Sequence, residues 1–125
     1  MKKIEQKEQI ALMNWLNDLE HIGKILTAYA NPNGGTRHII EAVNLKKEGV
    51  KAGVSDITVV TPTKTLYIEM KRPPKILKNG KKSTAGIKTS LEQLDFIDKV
   101  SKNPNVEAKV CYGAKEAQEF VSAFI

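Results

Sequence analysis

Two carboxylates and a lysine on neighbouring predicted strands are the residues whose types and spacing could do chemistry. Asp56 precedes the β-branched run 57–61 (ITVVT), while Glu69 and Lys71 lie two residues apart in the run 65–71 (TLYIEMK). Side chains alternate between the two faces of a strand, so Glu69 and Lys71 share one face. Only 62–64 separates the runs, which predicts an antiparallel hairpin. Asp56 can then lie beside Glu69 on a neighbouring strand about 4.8 Å away.

Two carboxylates this close repel each other unless a cation lies between them. A hard divalent ion with oxygen ligands is the natural occupant, and it lowers the pKa of bound water and acts as a Lewis acid. A lysine adds a compact charge that can approach a phosphate oxygen. The set is therefore a candidate site for a divalent metal ion. A second interpretation stays open on these residues alone, with Asp56 as a turn residue and Glu69 and Lys71 on a solvated outer face.

The basic residues are concentrated in the segment 71–88 (KRPPKILKNGKKSTAGIK), which contains no acid. It holds 7 of the 20 basic residues, leaving 13 against 14 acids elsewhere, so the whole net charge of +6 depends on this stretch. Such a stretch favours a polyphosphate partner, because each neutralised phosphate releases condensed counterions. A solvated lysine loop is the alternative. The basic residues are Lys71, Arg72, Lys75, Lys78, Lys81, Lys82 and Lys88.

The surrounding pattern predicts an α/β fold in the order αβαββαβα, with one domain over 1–125. Ser90 and Gln93 have the spacing of a capping box, which predicts a helix beginning there. Pro73, Pro74 and two glycines predict a loop over 71–88. The predicted helices are 4–19, 37–47, 90–101 and 114–125, and the predicted strands are 25–30, 57–61, 65–71 and 106–112.

Several function classes are excluded by composition. No apolar run approaches the length of about 18 residues that a membrane span needs, and no apolar region follows the first lysines as in a secretory signal. The single cysteine, Cys111, cannot form an internal disulfide or supply a zinc knuckle. We therefore expect a reducing cytoplasm, and no membrane partner. No plausible Ser/His/Asp or Cys/His set is present, so covalent nucleophilic catalysis is not expected.

Three short blocks in order are similar to a known family: G-V-S-D at 53–56, I-E-M-K at 68–71 and S-L-E-Q at 90–93. They resemble the PD-(D/E)xK nuclease superfamily, and within it the VRR-NUC branch, in particular its small stand-alone phage members. The stretches 5–16, 31–37, 45–56 and 111–117 also fit that branch, so the resemblance covers nearly the whole chain. Ser55 departs from the pattern, since the family usually has proline before the aspartate.

The resemblance implies a restriction-endonuclease-like core, with a mixed central sheet flanked by helices, and a set of site residues. Asp56 and Glu69 would be metal ligands for Mg²⁺ or Mn²⁺, with the backbone carbonyl of Met70 as companion. Lys71 would orient or activate the attacking water. Gln93 would be the family's supporting glutamine.

The resemblance also implies an acid on the first helix and a DNA contact surface. Glu5 would be the helix-one acid, with Glu8 one turn along as its competitor. The expected nucleic-acid-binding residues are Arg72, Lys75, Lys78, Lys81, Lys82, Lys88 and Asn33.

The leading hypothesis is a metal-dependent, structure-selective DNA endonuclease that acts as a homodimer on branched DNA such as a four-way (Holliday) junction. A junction resolvase makes paired cuts, so one site per chain implies two-fold symmetry. A phage-encoded enzyme of this kind would act in the cytoplasm of a bacterial host. The alternative is a non-catalytic nucleic-acid-binding module that uses 71–88. A sequence-specific restriction-type enzyme ranks last, because we expect 125 residues to be too few for a separate DNA-reading domain.

Overall fold

The computed structural model describes residues 3–32 and 39–125. Asn33, and the start of the helix predicted over 37–47, lie outside these residues. The described helices are α1 (Lys3–His21), α2 (Ile39–Lys47), α3 (Leu91–Val100) and α4 (Ala114–Ser122). The strands are β1 (Thr27–Ala30), β2 (Ile57–Val60), β3 (Thr65–Lys71), β4 (Lys75–Ile76), β5 (Lys82–Ser83) and β6 (Val106–Tyr112).

Helices α1 and α4 cover one face of the sheet with apolar side chains at helical spacing. Leu12, Leu16 and Leu19 of α1 are buried, as are Ala117 and Val121 of α4. Steps of three and four residues place each set on a single helical face, which is the face that leaves water. Within the described ranges, no helix is long and apolar enough to cross a membrane.

The main sheet has four strands in the order β1-β2-β3-β6. The β1–β2 and β2–β3 pairs are antiparallel, whereas β3 and β6 run parallel. Leu66, Ile68 and Met70 of β3 belong to the core shared with α1 and α4. On the opposite face of β3, the ring of Tyr67 meets Phe96 of α3 edge to face, with 5.2 Å between centroids. The two faces of β3 thus lie under different helices.

Most predicted elements are confirmed, and the sheet is the mixed α/β arrangement expected. Strands 65–71 and 106–112 have the predicted bounds, and Ser90 caps α3 through a complete capping box. The loop assigned to 71–88 is wrong in part, because it contains the short antiparallel pair β4–β5. Two-residue strands are too short to show an alternation in sequence.

Smaller corrections concern element ends and one packing assignment. The strand predicted to Thr61 ends at Val60, and the helix predicted to Ile125 ends at Ser122. The first helix extends beyond 4–19, to His21. Val43, an apolar residue of the helix predicted over 37–47 and so expected to pack, is 48% exposed.

Candidate active site

The carboxylates of Asp56 and Glu69 meet where β3 ends, next to the start of β2. The register pairs Ile57 with Ile68, so the preceding Asp56 lies beside the following Glu69. The Asp56 Oδ2 atom accepts a hydrogen bond from the backbone N–H of Met70 at 2.8 Å. Glu69 is only 2% exposed, which excludes the interpretation of a solvated outer face. The predicted carboxylate pair is therefore present in the fold, and it is largely buried.

The surroundings of Glu69 disfavour its charged form. Burial, together with the nearby negative charge of Asp56 and a hydrogen bond to it, raises the pKa of Glu69 from 4.5 to about 8. The Lys71 ammonium opposes this shift but does not cancel it. A carboxyl group with this pKa holds a proton at neutral pH unless another positive charge replaces that proton. One oxygen, Oε1, is buried without a hydrogen-bond partner among the described residues.

Gln93 joins the carboxylate to the lysine. Its Nε2 donates to Glu69 Oε2 at 3.0 Å, and its Oε1 accepts from Lys71 Nζ at 3.2 Å. Lys71 Nζ also lies 3.6 Å from Glu69 Oε2, and the lysine side chain is 11% exposed. These three residues form a closed triangle of polar contacts. The sequence predicted Gln93 as part of a capping box, and the resemblance implied a supporting role near the site. Neither predicted that its side chain contacts both Glu69 and Lys71.

The capping box fixes which way the Gln93 amide faces. Gln93 Oε1 accepts from the Ser90 backbone N–H at 2.9 Å as well as from Lys71. Ser90 Oγ accepts from the Gln93 backbone N–H at 3.2 Å. Because the amide oxygen already faces two donors, the amide nitrogen is directed at Glu69. The same side chain therefore closes the first turn of α3 and orients the buried carboxylate.

Asn31 holds the Asp56 segment from the other side, a role that sequence reasoning missed. Its backbone N–H donates to Asp56 O at 2.7 Å. Its side-chain Nδ2 donates to Ser55 O at 2.9 Å and to Thr58 Oγ1 at 3.1 Å. The sequence shows only a loop signal at this position, since the partners are 24 to 27 residues away.

Glu8 of helix α1 is committed to the start of helix α4. Its Oε1 accepts from the Ala114 backbone N–H at 3.3 Å, at a helix end that favours negative charge. The adjacent Gly113 donates its N–H to Lys71 O at 2.9 Å. Glu8 is thereby linked, through the start of α4, to the last residue of β3. Glu5 lies one turn earlier in α1 and is half-buried.

The basic segment follows β3 directly and folds into the hairpin β4–β5. Lys75 pairs with Ser83 and Ile76 with Lys82, and Leu77 N–H donates to Lys81 O at 2.8 Å across the turn. None of the hairpin lysines forms an ion pair within the part of the chain that the structure describes. Arg72 is half-buried at the base of the hairpin. The exposed lysines are Lys75, Lys78, Lys81, Lys82 and Lys88.

The family model of the VRR-NUC domain matches residues 1–115. The chain belongs to the VRR-NUC domain family. A VRR-NUC domain is a nuclease-type domain, which implies DNA as the substrate. A solved structure described as a VRR_NUC domain protein has a TM-score of 0.68 at 20% sequence identity, covering 100% of this chain and 90% of that chain. At this identity the likeness shows the fold alone. Comparison with curated proteins returns no significant match.

The site of this VRR-NUC domain fits a hard divalent ion by its donor set. Such ions take oxygen ligands, and the site offers the carboxylates of Asp56 and Glu69. Glu69 Oε1 is a buried oxygen with no hydrogen-bond partner in the described part of the chain, the kind of atom that a cation satisfies. Over 3–32 and 39–125, no group of three or more His, Cys, Asp or Glu side chains converges. Backbone oxygen and water would therefore have to complete the coordination.

Proposed function

We propose that this chain is a metal-dependent endonuclease that hydrolyses phosphodiester bonds in DNA. The observation that supports it most is the buried Glu69 beside Asp56, which has a raised pKa and one oxygen without a partner in 3–32 and 39–125. In a purely structural ion pair, a donor would contact that oxygen. In a site that binds a cation, the oxygen has no protein partner because the cation contacts it.

In this proposal Asp56, Glu69 and the Met70 carbonyl hold Mg²⁺ or Mn²⁺. The bound ion would lower the pKa of a water molecule and stabilise negative charge on the phosphate. Asp56 is kept in place by the Met70 N–H, which donates to its side chain, and by the Asn31 N–H, which donates to its backbone carbonyl. Glu69 is kept in place by Gln93.

Lys71 is the proposed residue that contacts the attacking water or a phosphate oxygen. Its ammonium is held at 3.2 Å from Gln93 Oε1 and 3.6 Å from Glu69 Oε2, and an ammonium has three N–H donors. Among the residues that the structure describes, these two contacts leave at least one donor for the substrate. Its charge offsets the charge that develops on phosphate oxygens. Glu5 is proposed as the helix-one acid, because Glu8 is engaged with the start of α4.

The hairpin β4–β5 is the proposed DNA contact. Its lysines are exposed and without acidic partners among the described residues, so their charges are available to phosphates. Phosphate contacts position DNA without reading its sequence, which favours recognition of DNA shape. Arg72 at the base of the hairpin belongs to the same proposed surface. Asn33 is proposed to contribute to it as well, although it lies outside the described residues.

Branched DNA such as a four-way junction is the proposed substrate, cut by a homodimer of single domains spanning 1–125. Paired cuts across a two-fold symmetric junction need two sites, and each chain carries one proposed site.

A cleavage assay on a labelled four-way junction beside a linear duplex of matching sequence tests the proposal, with Mg²⁺, Mn²⁺ or EDTA. We expect paired, symmetric, metal-dependent nicks near the crossover. Equal cutting of both substrates would keep the nuclease and discard junction selectivity. Binding without cutting in either metal would instead support a non-catalytic module.

A further inference from the structure

Gly53 lies where two backbones come into direct contact. It has φ +86°, in the left-handed region that favours glycine. A Cβ atom placed there would overlap the carbonyl carbon and oxygen of Glu92 and lie 2.9 Å from Gln93 N. All three atoms belong to the main chain of the first turn of α3, so no flexible side chain could move aside. Glycine is needed here for space as well as for its φ.

This contact joins the two segments that build the proposed site. Gly53 precedes Asp56 by three residues in the connection to β2, and Glu92 and Gln93 open α3. The loop that leads to one carboxylate therefore rests on the turn that carries the amide. The first turn of α3 cannot move toward or away from this loop without changing where Gln93 meets Glu69 and Lys71.

We infer that Gly53 is a positioning residue for Gln93, an inference that rests on the proposed nuclease function. A side chain at 53 would push the first turn of α3 outward from the sheet. The Gln93 bonds to Glu69 and Lys71 measure 3.0 and 3.2 Å, so a displacement of about 1 Å would lengthen them beyond hydrogen-bonding range. Gly53 would then set the orientation of a carboxylate and a lysine that it does not touch.

The test compares G53A with G23A. Gly23 has φ +80° and nothing within 4 Å of an added Cβ, so alanine there meets the same backbone preference without the overlap. Because a misplacement of about 1 Å can cost 10²-fold in rate, we expect G53A to lower kcat on the cleavable DNA by about 10- to 100-fold. The KM and the DNA affinity should change by less than about 3-fold, since the hairpin lysines are untouched. G23A should cleave at the wild-type rate. Equal rates for the two variants would overturn the inference.

A double-mutant cycle with Q93A separates positioning from general damage. If Gly53 acts through Gln93, G53A should lower kcat by less than about 3-fold once Gln93 is already alanine, because coupled residues are not additive. A multiplicative loss in G53A/Q93A would show that Gly53 acts by another route and would contradict the inference.

A third variant covers the case in which G53A does not fold, as judged by circular dichroism and thermal unfolding. S90A removes the hydroxyl that caps α3 and loosens the same turn without adding an atom to the contact. We expect a selective fall in kcat of at least about 3-fold with unchanged KM, since a lost cap frees the first turn. An unchanged kcat in S90A would then count against the inference. Wild-type protein that cuts no DNA in either metal would instead refute the proposed function, so the two failures are distinguishable.

Discussion

The proposed catalytic centre and the basic hairpin are neighbours along the chain, yet they differ in the burial and in the polar contacts of their charged side chains. At the centre, Glu69 and Lys71 are 2% and 9% exposed, and their polar contacts interlock through Gln93. In the hairpin, Lys75 and Lys82 lie in strands of two residues each, Lys78 and Lys81 lie in the connection between them, and all four are exposed. Only two prolines and one arginine separate Lys71 from the first strand of the hairpin.

The difference fits the role proposed for each region. Charges that act on a reacting atom are effective when buried and fixed, because water no longer screens them. Charges that gather DNA act through the counterion atmosphere, which tolerates mobile side chains. Substitutions at the centre should therefore affect rate, and substitutions in the hairpin should affect binding.

Removing a carboxylate should have the largest effect. We expect D56A or E69A to lower kcat by roughly 10³-fold or more, because the cation and its charge stabilisation are lost together. DNA affinity should stay within about 3-fold in a binding assay, since phosphate contacts supply it. E107A is the matched control, because Glu107 pairs with Lys64 at the opposite end of the sheet. A loss of DNA affinity as large as the loss of kcat would contradict the assignment of catalysis to the carboxylates and of binding to the hairpin.

Gln93 should come next. Substitution of a residue that orients metal ligands typically lowers metal affinity or activity by about 10- to 100-fold. We therefore expect Q93A to lower kcat by about that factor. Q93E should be more damaging than Q93A, because its second oxygen would face Glu69 Oε2 where Nε2 now donates. Steady-state kinetics in Mg²⁺ would rank the three proteins. A fully active Q93E would show that the direction of the amide is unimportant.

Neutralising the hairpin should weaken binding and leave the chemical step intact. For K78Q/K81Q/K82Q, the plot of log affinity against log salt should be shallower by about 2 to 3. Single-turnover cleavage at saturating protein should remain within about 3-fold of wild type. K99Q/K102Q/K109Q removes the same charge from lysines that already have acidic partners and should alter the slope less. Equal slopes for the two triple variants would show that the hairpin lysines do not contact DNA.

The smallest effect expected is on stability. The folded chain retains a proton on Glu69 up to about pH 8, whereas its ordinary pKa is 4.5. Folding is therefore opposed by this group as pH rises from 4.5 to 8, by on the order of a few kcal/mol at most. Urea unfolding in EDTA should show stability falling over that window in wild type and a flatter profile in E69Q. Added Mg²⁺ should restore wild type more at pH 8 than at pH 5. Parallel profiles would contradict the raised pKa.

Sequence was most informative where local pattern and tertiary structure agree. Strands β3 and β6 were predicted to the residue, because each is a short run rich in β-branched and aromatic residues with apolar side chains at alternate positions. The adjacency of Asp56 and Glu69 followed from the short connection between their strands. The burial of Glu69 could not be predicted, since a polar residue on an alternating strand gives the same pattern whether water or a helix covers it.

The contacts that sequence could not provide join distant segments. Asn31 reaches residues 55 to 58, and Glu8 reaches Ala114, 106 positions away. No spacing rule relates such pairs, because they depend on how the elements pack. Gln93 was recognised as a capping residue from Ser90, but its reach across to Glu69 required the placement of α3 over β3.

The double use of Gln93, as helix cap and as partner of the buried pair, ties activity to the most easily frayed part of a helix. Local opening of a first turn costs far less than global unfolding. Each such opening would release Glu69 and Lys71 together, so activity on heating should fade before the fold melts. Exchange of the Gln93 backbone amide, which donates to Ser90 Oγ, would then measure how often this turn opens.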